Sequence, residues 1–221
     1  MGSDWDIIGR EGLQFYGKMS ASISHEIKNV LAIINENAGL LEDLALMAEK
    51  GKTVDMQRFK TVAGKIRRQV ARADDIVKNL NRFAHSADDF KGDVDLNDAL
   101  RFVVTLSNRL FDMKGVRVEQ APVEGSVVVT NTLFLLLNLF WSCLSFAMES
   151  TGDDKKVHLL VEKLDSGARI RFSNLSGIGK ISDAQFPSTK EEALLNALKA
   201  RISFNESEGE LILELPDCVD H

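Results

Sequence analysis

The chain lacks several features that mark well-known functional classes, and the first is an excess of positive charge. With 27 Lys and Arg against 33 Asp and Glu, its formal net charge is -6. A nucleic-acid-binding surface needs a basic face, so the charge argues against nucleic acid as a partner. Four basic residues lie close together, but they alternate with apolar positions as on a solvated helix face: Lys65, Arg67, Arg68 and Arg72.

Cysteines and long apolar runs are also scarce. Cys143 and Cys218 have no metal-like spacing and are typical of reduced cytosolic thiols. The longest apolar run, residues 133–147, is interrupted by polar side chains and is shorter than the about 18 residues that a membrane span needs. No secretory leader pattern appears at the N-terminus. We therefore expect a cytoplasmic protein with no membrane partner and no metal site of its own.

What the chain does have is a long amphipathic pattern that carries one histidine. Apolar residues recur every three or four positions and predict a helix: Ile23, Ile27, Val30, Ile34, Leu41 and Leu44. At about 100° per residue, His25 lies roughly 160° from Ile27 and should face water. A water-exposed imidazole is largely neutral at cytosolic pH, so one ring nitrogen keeps a lone pair for nucleophilic attack. Glu26 lies beside it, and Lys28 and Asn29 lie one turn further on.

The octet around this histidine resembles a known sequence box. Residues 22–29 read Ser-Ile-Ser-His-Glu-Ile-Lys-Asn. They are similar to the H-box of the histidine kinase dimerisation and histidine-phosphotransfer domain, except that Val30 stands where the family has proline. The resemblance implies that His25 accepts a phosphoryl group, Glu26 is its acid/base partner and Asn29 tunes dephosphorylation of a partner. A zinc site of the H-E-x-x-H type is excluded, because Asn29 occupies the second ligand position.

Two helical patterns, at about residues 12–48 and 55–87, predict an antiparallel hairpin that turns at Gly51, Lys52 and Thr53. Helices on the order of 50 Å long would leave much of their apolar seam in water. We therefore predict a homodimer in which two hairpins form a four-helix bundle. The alternative packs the hairpin against the second half of its own chain. Residues 1–91 are assigned to this dimerisation and phosphotransfer domain.

The second half, residues 92–221, mixes strand and helix patterns. Strands are predicted at 116–118, 127–129, 157–164, 168–172, 201–205 and 210–215, and helices at 131–148 and 190–199. Residues 75–83 resemble the end of the second helix in the same kinase family, and residues 94–100 resemble the entry to its ATP-binding domain. The predicted fold class is α+β: a helical hairpin followed by a reduced, ATPase-like α/β sandwich with one helical layer on one sheet.

That family resemblance also implies a nucleotide site, and the chain departs from it at three places. Asn138 keeps the frame of the family's "N-L-x-x-N-A" box, but Ser142 replaces its metal-binding asparagine with a weaker ligand. Residues 173–177 align with the adenine-binding "D-x-G-x-G" box and end on Gly177. However, Ser173 replaces the aspartate, and Leu175 fills space that a glycine would leave open. No glycine occurs between Lys180 and Glu208, so a glycine-rich phosphate lid is absent.

These observations predict a dimeric histidine phosphotransfer protein that binds no cofactor itself. His25 would exchange a phosphoryl group with aspartates of response-regulator receiver domains, with Mg²⁺ supplied by the receiver. Lys28 and Ala32 are predicted to contact the docked receiver or the phosphoryl group. Three alternatives stay open: a response-regulator phosphatase that uses Asn29, a divergent ATP-dependent autokinase, and a non-enzymatic dimeric scaffold.

Overall fold

A computed structural model describes residues 2–88, 91–122, 125–178 and 186–217, with the side chains of residues 2–4 excepted. Within these ranges the chain is α+β, which confirms the predicted fold class. The helices are α1 Gly2–Glu49, α2 Met56–His85, α3 Leu96–Lys114, α4 Leu133–Ser150 and α5 Thr189–Leu198. The strands are β1 Gly92–Asp95, β2 Arg117–Gln120, β3 Val128–Asn131, β4 Lys156–Leu164, β5 Gly167–Ser173, β6 Arg201–Asn205 and β7 Glu210–Pro216.

Residues 20–82 form one compact unit, which is the predicted helical hairpin. Its buried apolar side chains come from both helices: Ile23, Val30, Leu44, Val62 and Ile76. Helix α1 ends where Gly51 adopts a left-handed backbone with φ +74°, a conformation that favours glycine. Helix α2 begins after Asp55, whose carboxylate accepts a hydrogen bond of 2.8 Å from the Gln57 N–H. The break predicted at residues 51–53 is therefore a capped turn.

Residues 1–19 and 83–221 form the second compact unit. Its main sheet has five strands in the order β2-β4-β5-β7-β6, in which β2 pairs parallel with β4 and the other pairs are antiparallel. Alternate residues of the central strands are buried: Val157, Leu159 and Val161 on β4, Ile170 and Phe172 on β5, and Leu211, Leu213 and Leu215 on β7. The short strands β1 and β3 pair in a separate antiparallel ribbon.

Helix α3 is the largest element that the sequence patterns did not predict. Its N-terminus is capped by Asp95, whose carboxylate accepts a 3.0 Å hydrogen bond from the Asp98 N–H. It ends at Gly115, which has φ +67° and donates its N–H to the Asp112 carbonyl at 3.0 Å. Both signals, together with apolar residues at helical spacing, stand in the sequence.

Helix α1 begins earlier than the predicted start near Gly12, and its first residues belong to the second unit. Phe15 is 3% exposed and packs edge-on against Phe83, with ring centroids 5.4 Å apart. Phe134 of α4 lies 5.7 Å from Phe15, and a side chain at Gly12 would press on that ring at 3.2 Å. An aromatic cluster thus fixes the first turns of α1 on α4. The domain boundary predicted at residue 91 stays a prediction.

Helix α4 corrects the expectation about long apolar runs. The helix extends to Ser150, so its 18 residues have the length and the composition of a membrane span, with a mean hydropathy of 1.5. It is the one described helix that does. However, 67% of this stretch is buried by the protein's own elements, as in the core helix of a folded domain. Its apolar character is therefore accounted for by packing against the sheet and α3.

Candidate functional site

His25 lies on the exposed side of α1 within the helical hairpin, as the helical periodicity predicts. On the opposite side of the same helix, Ile23 is 4% exposed and Val30 is 1% exposed. Burial of these apolar side chains fixes the rotation of the helix about its axis. The imidazole therefore points away from the hairpin core and is reachable by another protein.

The predicted neighbours of His25 are described on the same helix. Lys28, Asn29 and Ala32 are all exposed, whereas Glu26 is half-buried. The Glu26 carboxylate Oε2 lies 4.0 Å from Nη2 of Arg72 on α2. The sequence patterns placed Arg72 on a solvated face without a role. The contact was missed because it depends on the register between the two helices, which no local pattern encodes.

Large apolar side chains are exposed along both helices of the hairpin: Leu31, Ile33, Leu40, Leu46, Met47, Met56, Val70 and Val77. A shallow apolar cavity of about 390 Å³ lies near the turn of the hairpin, between Leu44 and Met47 of α1 and Val62 of α2. Exposed apolar side chains in this number on two neighbouring helices are a feature of interaction surfaces.

The second unit contains a half-open cavity of about 360 Å³ beside α4. Asn138 and Ser142, two of the predicted degenerate nucleotide-site positions, line it together with Trp141. Its remaining wall comes from α1, at Phe15 and Lys18, and from α5 and the residues before it. The α1 contribution was not predicted, because it brings together residues more than a hundred positions apart in the chain, which no local pattern encodes.

Ser173 and Gly177, the other two degenerate positions, are absent from the described lining of this cavity. Gly177 instead donates its N–H to the Ser150 carbonyl at 2.9 Å, and a Cβ at Gly177 would approach that oxygen to 3.0 Å. Leu175 is fully buried. The segment after β5 is thus packed against the end of α4.

The charges at the cavity are unevenly paired. Glu149 is paired with Lys114 at 3.0 Å, and Lys190 lies 3.4 Å from Glu191 and 4.0 Å from Glu11. Lys18 makes no ion pair with any residue of the described chain; its ammonium lies 4.6 Å from the centre of the Trp141 ring. Burial, followed by the nearby charges of Lys114 and Lys190, lowers the pKa of Lys18.

Within the residues that the structure describes, no three His, Cys, Asp or Glu side chains converge in a way that could hold a metal ion. Ser142 offers only a hydroxyl at the position where the family resemblance implies a metal ligand. Asn138 is 4% exposed, and its Nδ2 is buried without a hydrogen-bond partner. These residues do not make a magnesium site, for which several oxygen ligands would be needed.

Several solved structures of histidine kinases are similar to this chain. The histidine kinase AdeS of Acinetobacter baumannii is 13% identical over 82% of this chain and 95% of that chain, with a TM-score of 0.46. Histidine kinase ThkA, in complex with the response regulator TrrA, is 21% identical over 94% of this chain and 64% of that chain, with a TM-score of 0.45. The ATP-binding domain of PrrB from Mycobacterium tuberculosis is 16% identical, covering 58% and 98%, with a TM-score of 0.45.

No protein-family model and no curated protein sequence matches the chain. The identities and TM-scores of the solved structures are too low to assign a family or a function.

Proposed function

We propose that the chain is a histidine phosphotransfer protein of a two-component phosphorelay. It passes a phosphoryl group between receiver-domain aspartates through His25 and uses no ATP itself. The observation that carries the proposal is the exposed His25 in the octet that runs from Ser22 to Asn29, on a helix face opposite the buried seam. We also propose that the protein is a cytoplasmic homodimer.

The chemistry requires one exposed nitrogen nucleophile and little else from this chain. The free ring nitrogen of His25 attacks the phosphorus of an aspartyl phosphate in line. An N–P bond forms, the acyl O–P bond breaks and the receiver's carboxylate leaves with the electron pair. The reverse reaction loads the aspartate of a second receiver. Magnesium held by the receiver neutralises the negative charge on the oxygens of the transferring phosphoryl group, and docking aligns the reacting atoms.

The neighbours of His25 have distinct roles in this proposal. Glu26 orients the imidazole by accepting a hydrogen bond from one ring N–H, which leaves the lone pair on the other, attacking nitrogen. It takes that proton as the N–P bond forms. Lys28 lies one turn further on and is exposed, where it attracts the phosphoryl oxygens. Ala32 is exposed two turns further on and leaves room for a receiver helix to lie against α1.

The absence of ATP chemistry is supported by the residues of the second unit. Ser142 offers a hydroxyl where the resemblance requires an amide, and Leu175 is fully buried where it requires an open glycine. Three glutamates line the cavity beside α4: Glu11, Glu149 and Glu191. Their carboxylates disfavour a triphosphate, since each additional negative charge in a partly desolvated site is costly.

Phosphoryl flow from a labelled receiver tests the proposal. Purified protein is incubated with receiver domains carrying ³²P-aspartyl phosphate, and label is followed onto the chain and then onto a second, unlabelled receiver. We expect a phosphohistidine, labile in acid and stable in alkali, that is lost in His25→Ala. His85→Ala is the matched control, because His85 is also an exposed helical histidine.

The same assay separates the alternatives. Label that reaches His25 from γ-³²P-ATP, in the absence of any kinase, would identify a divergent autokinase instead. Receiver dephosphorylation that persists in His25→Ala, with no label on the wild-type chain, would identify a phosphatase. If neither label nor dephosphorylation is seen with any cognate receiver, the chain is a scaffold.

A further inference from the structure

The cavity beside α4 is not used by the proposed phosphotransfer, which needs only the hairpin residues around His25. Its volume of about 360 Å³ lies within the range of small-molecule sites, roughly 300–1,000 Å³. It combines an aromatic wall with a few polar groups, the usual composition of such sites. Occupancy of this cavity is therefore independent of the proposed function of His25.

One side of the cavity is aromatic. Phe15, Trp141, Phe146 and Phe186 line it, and the last two rings stack with centroids 4.5 Å apart and planes inclined by 14°. Trp141 is 7% exposed, so only a small part of its ring is accessible from the opening. Flat rings of this kind favour a planar, apolar ligand body.

The other side is polar and carries one cation, Lys18, that makes no ion pair with a described residue, although the charge of Glu149 lies near enough to act on it. Every glutamate on the lining is within 4.0 Å of a lysine, as described above. Lys18, in contrast, has Trp141 beneath its ammonium. Burial first, and then the charges of Lys114 and Lys190, lower the pKa of Lys18, and the charge of Glu149 offsets only part of this. An anionic group placed against Lys18 would offset the repulsion between the lysines. Its oxygens would also replace part of the water contacts that the ammonium loses on burial.

The other charged side chains that line the cavity limit how much negative charge the anion can carry. Lys190 is already shared by Glu11 and Glu191, so a single lysine is left for the ligand. Ser142 and Ser145 add hydroxyls that can donate to a carboxylate oxygen. A polyphosphate would place several negative charges beside three carboxylates, whereas one carboxylate is balanced by one ammonium.

We infer that the cavity formed by α1, α4 and α5 binds a small aromatic carboxylic acid, with its ring against Trp141 and Phe146 and its carboxylate on Lys18. The site is built by the first turns of α1 as well as by the second half of the chain. Ligand in the cavity would therefore strengthen the attachment of the first turns of α1 to α4.

Fluorescence of Trp141 reports binding directly. The sequence has two tryptophans, and Trp5 is 63% exposed, so Trp5→Phe leaves Trp141 as the single reporter. This full-length variant is titrated with benzoate, phenylacetate and 4-hydroxybenzoate, and in parallel with benzamide and phenylacetamide. We expect a saturable change with at least one acid at a Kd of about 1 mM or lower, and binding of its amide at least roughly tenfold weaker.

Two substitutions assign the binding to the cavity. Lys18→Gln should weaken the acid at least about tenfold, because the charge-assisted contact is lost. Lys52→Gln, in the exposed turn of the hairpin, is the matched control and should bind as tightly as the parent. Ser142→Met should abolish binding by filling the cavity. Circular dichroism of each variant shows whether the fold is retained.

Four outcomes would overturn the inference. The first two are that none of the three acids saturates at concentrations several times the expected Kd of about 1 mM, and that the acid and its amide bind with equal affinity. The other two are that a folded Lys18→Gln variant binds the acid as tightly as the parent, and that MgATP or inorganic phosphate binds more tightly than the acids. None of these outcomes bears on phosphoryl transfer to His25. Loss of that transfer, in turn, would leave the cavity's ligand unaffected.

Discussion

The guanidinium Nη2 of Arg72 lies 4.0 Å from the carboxylate Oε2 of Glu26, so a residue of α2 reaches the turn of α1 that carries His25. Glu26 has 20% of its side chain exposed and Arg72 59%. The pair is therefore half in solvent, and it is worth no more than roughly 1 kcal/mol to stability. Its effect on function lies in its charge, because it places a cation beside the carboxylate that adjoins His25 in the sequence.

Removing this cation should slow loading of His25. A transferred phosphoryl group carries a charge of roughly -1.5 to -2 at neutral pH and is repelled by Glu26 once Arg72 is gone. We expect Arg72→Ala to reduce the rate of transfer from a labelled receiver by about two- to fivefold, and Arg72→Lys to retain most of it. Arg67→Ala, an exposed cation on the same helix, is the control.

The dependence of the transfer rate on salt concentration provides a second test of the role of Arg72. Exposed charges are screened at high ionic strength, so the difference between the parent and Arg72→Ala should shrink towards zero near about 1 M salt. A rate defect that is equally large at high salt would mean that Arg72 acts through the fold rather than through its charge.

Asn29 should separate hydrolysis from transfer. Its amide is exposed one turn from His25, where it can hold a water against a receiver's phosphoryl group. We expect Asn29→Ala to keep transfer to His25 within about twofold and to slow receiver dephosphorylation about tenfold, since the aligned water is lost. Asn35→Ala, another exposed asparagine of α1, should change neither rate. Equal loss of both activities would argue for a defect in receiver docking.

The apolar surface of the hairpin should be covered by a second copy. Val70 and Val77 are 53% and 43% exposed and lie seven residues apart on α2. We expect light scattering to give near twice the 24.5 kDa mass of one chain, and the double change Val70→Glu with Val77→Glu to give a monomer. Met113→Glu is the control, because Met113 is 68% exposed on α3, outside the hairpin. A double variant that stays dimeric would place the interface elsewhere.

The cap of α3 should make stability depend on pH in the acid range. Burial alone would raise the pKa of the Asp95 carboxyl. Hydrogen bonds from Ser126 and from the N–H groups of Asp98 and Asn97 nevertheless lower this pKa below its usual value. A depressed folded-state pKa means that stability is present above the unfolded value and is lost as pH falls through the folded value.

We therefore expect Asp95→Ala to lower the free energy of unfolding by about 1 kcal/mol at neutral pH. The difference from the parent should narrow as pH falls below about 4, because both chains then lack the charged cap. Urea unfolding of both chains at pH 7, 5 and 3 measures this difference in the free energy of unfolding. A difference that is constant across this range would mean that the charged form of Asp95 contributes nothing.

The prediction of elements from sequence succeeded where one local pattern dominates. The apolar seam of α1, the break at Gly51 and the hairpin of β4 and β5 around Asp165 and Ser166 were found to within a few residues, since periodicity and turn chemistry are local properties. Helix α3 was not predicted, even though Asp95 and Gly115 mark its ends. Residues 94–100 contain both the end of strand β1 and the start of α3, so no single local periodicity dominates there.

Sequence alone determined that His25 faces away from the apolar seam, because a helix of fixed pitch places each side chain at a fixed angle from its neighbours. Only the tertiary structure decided which distant groups meet. The contact of Arg72 with Glu26 depends on the register of two helices, and the cavity at Lys18 and Trp141 depends on packing residues of α1 against α4, more than a hundred positions later in the chain. Such contacts arise from the fit of whole surfaces, which no local periodicity records.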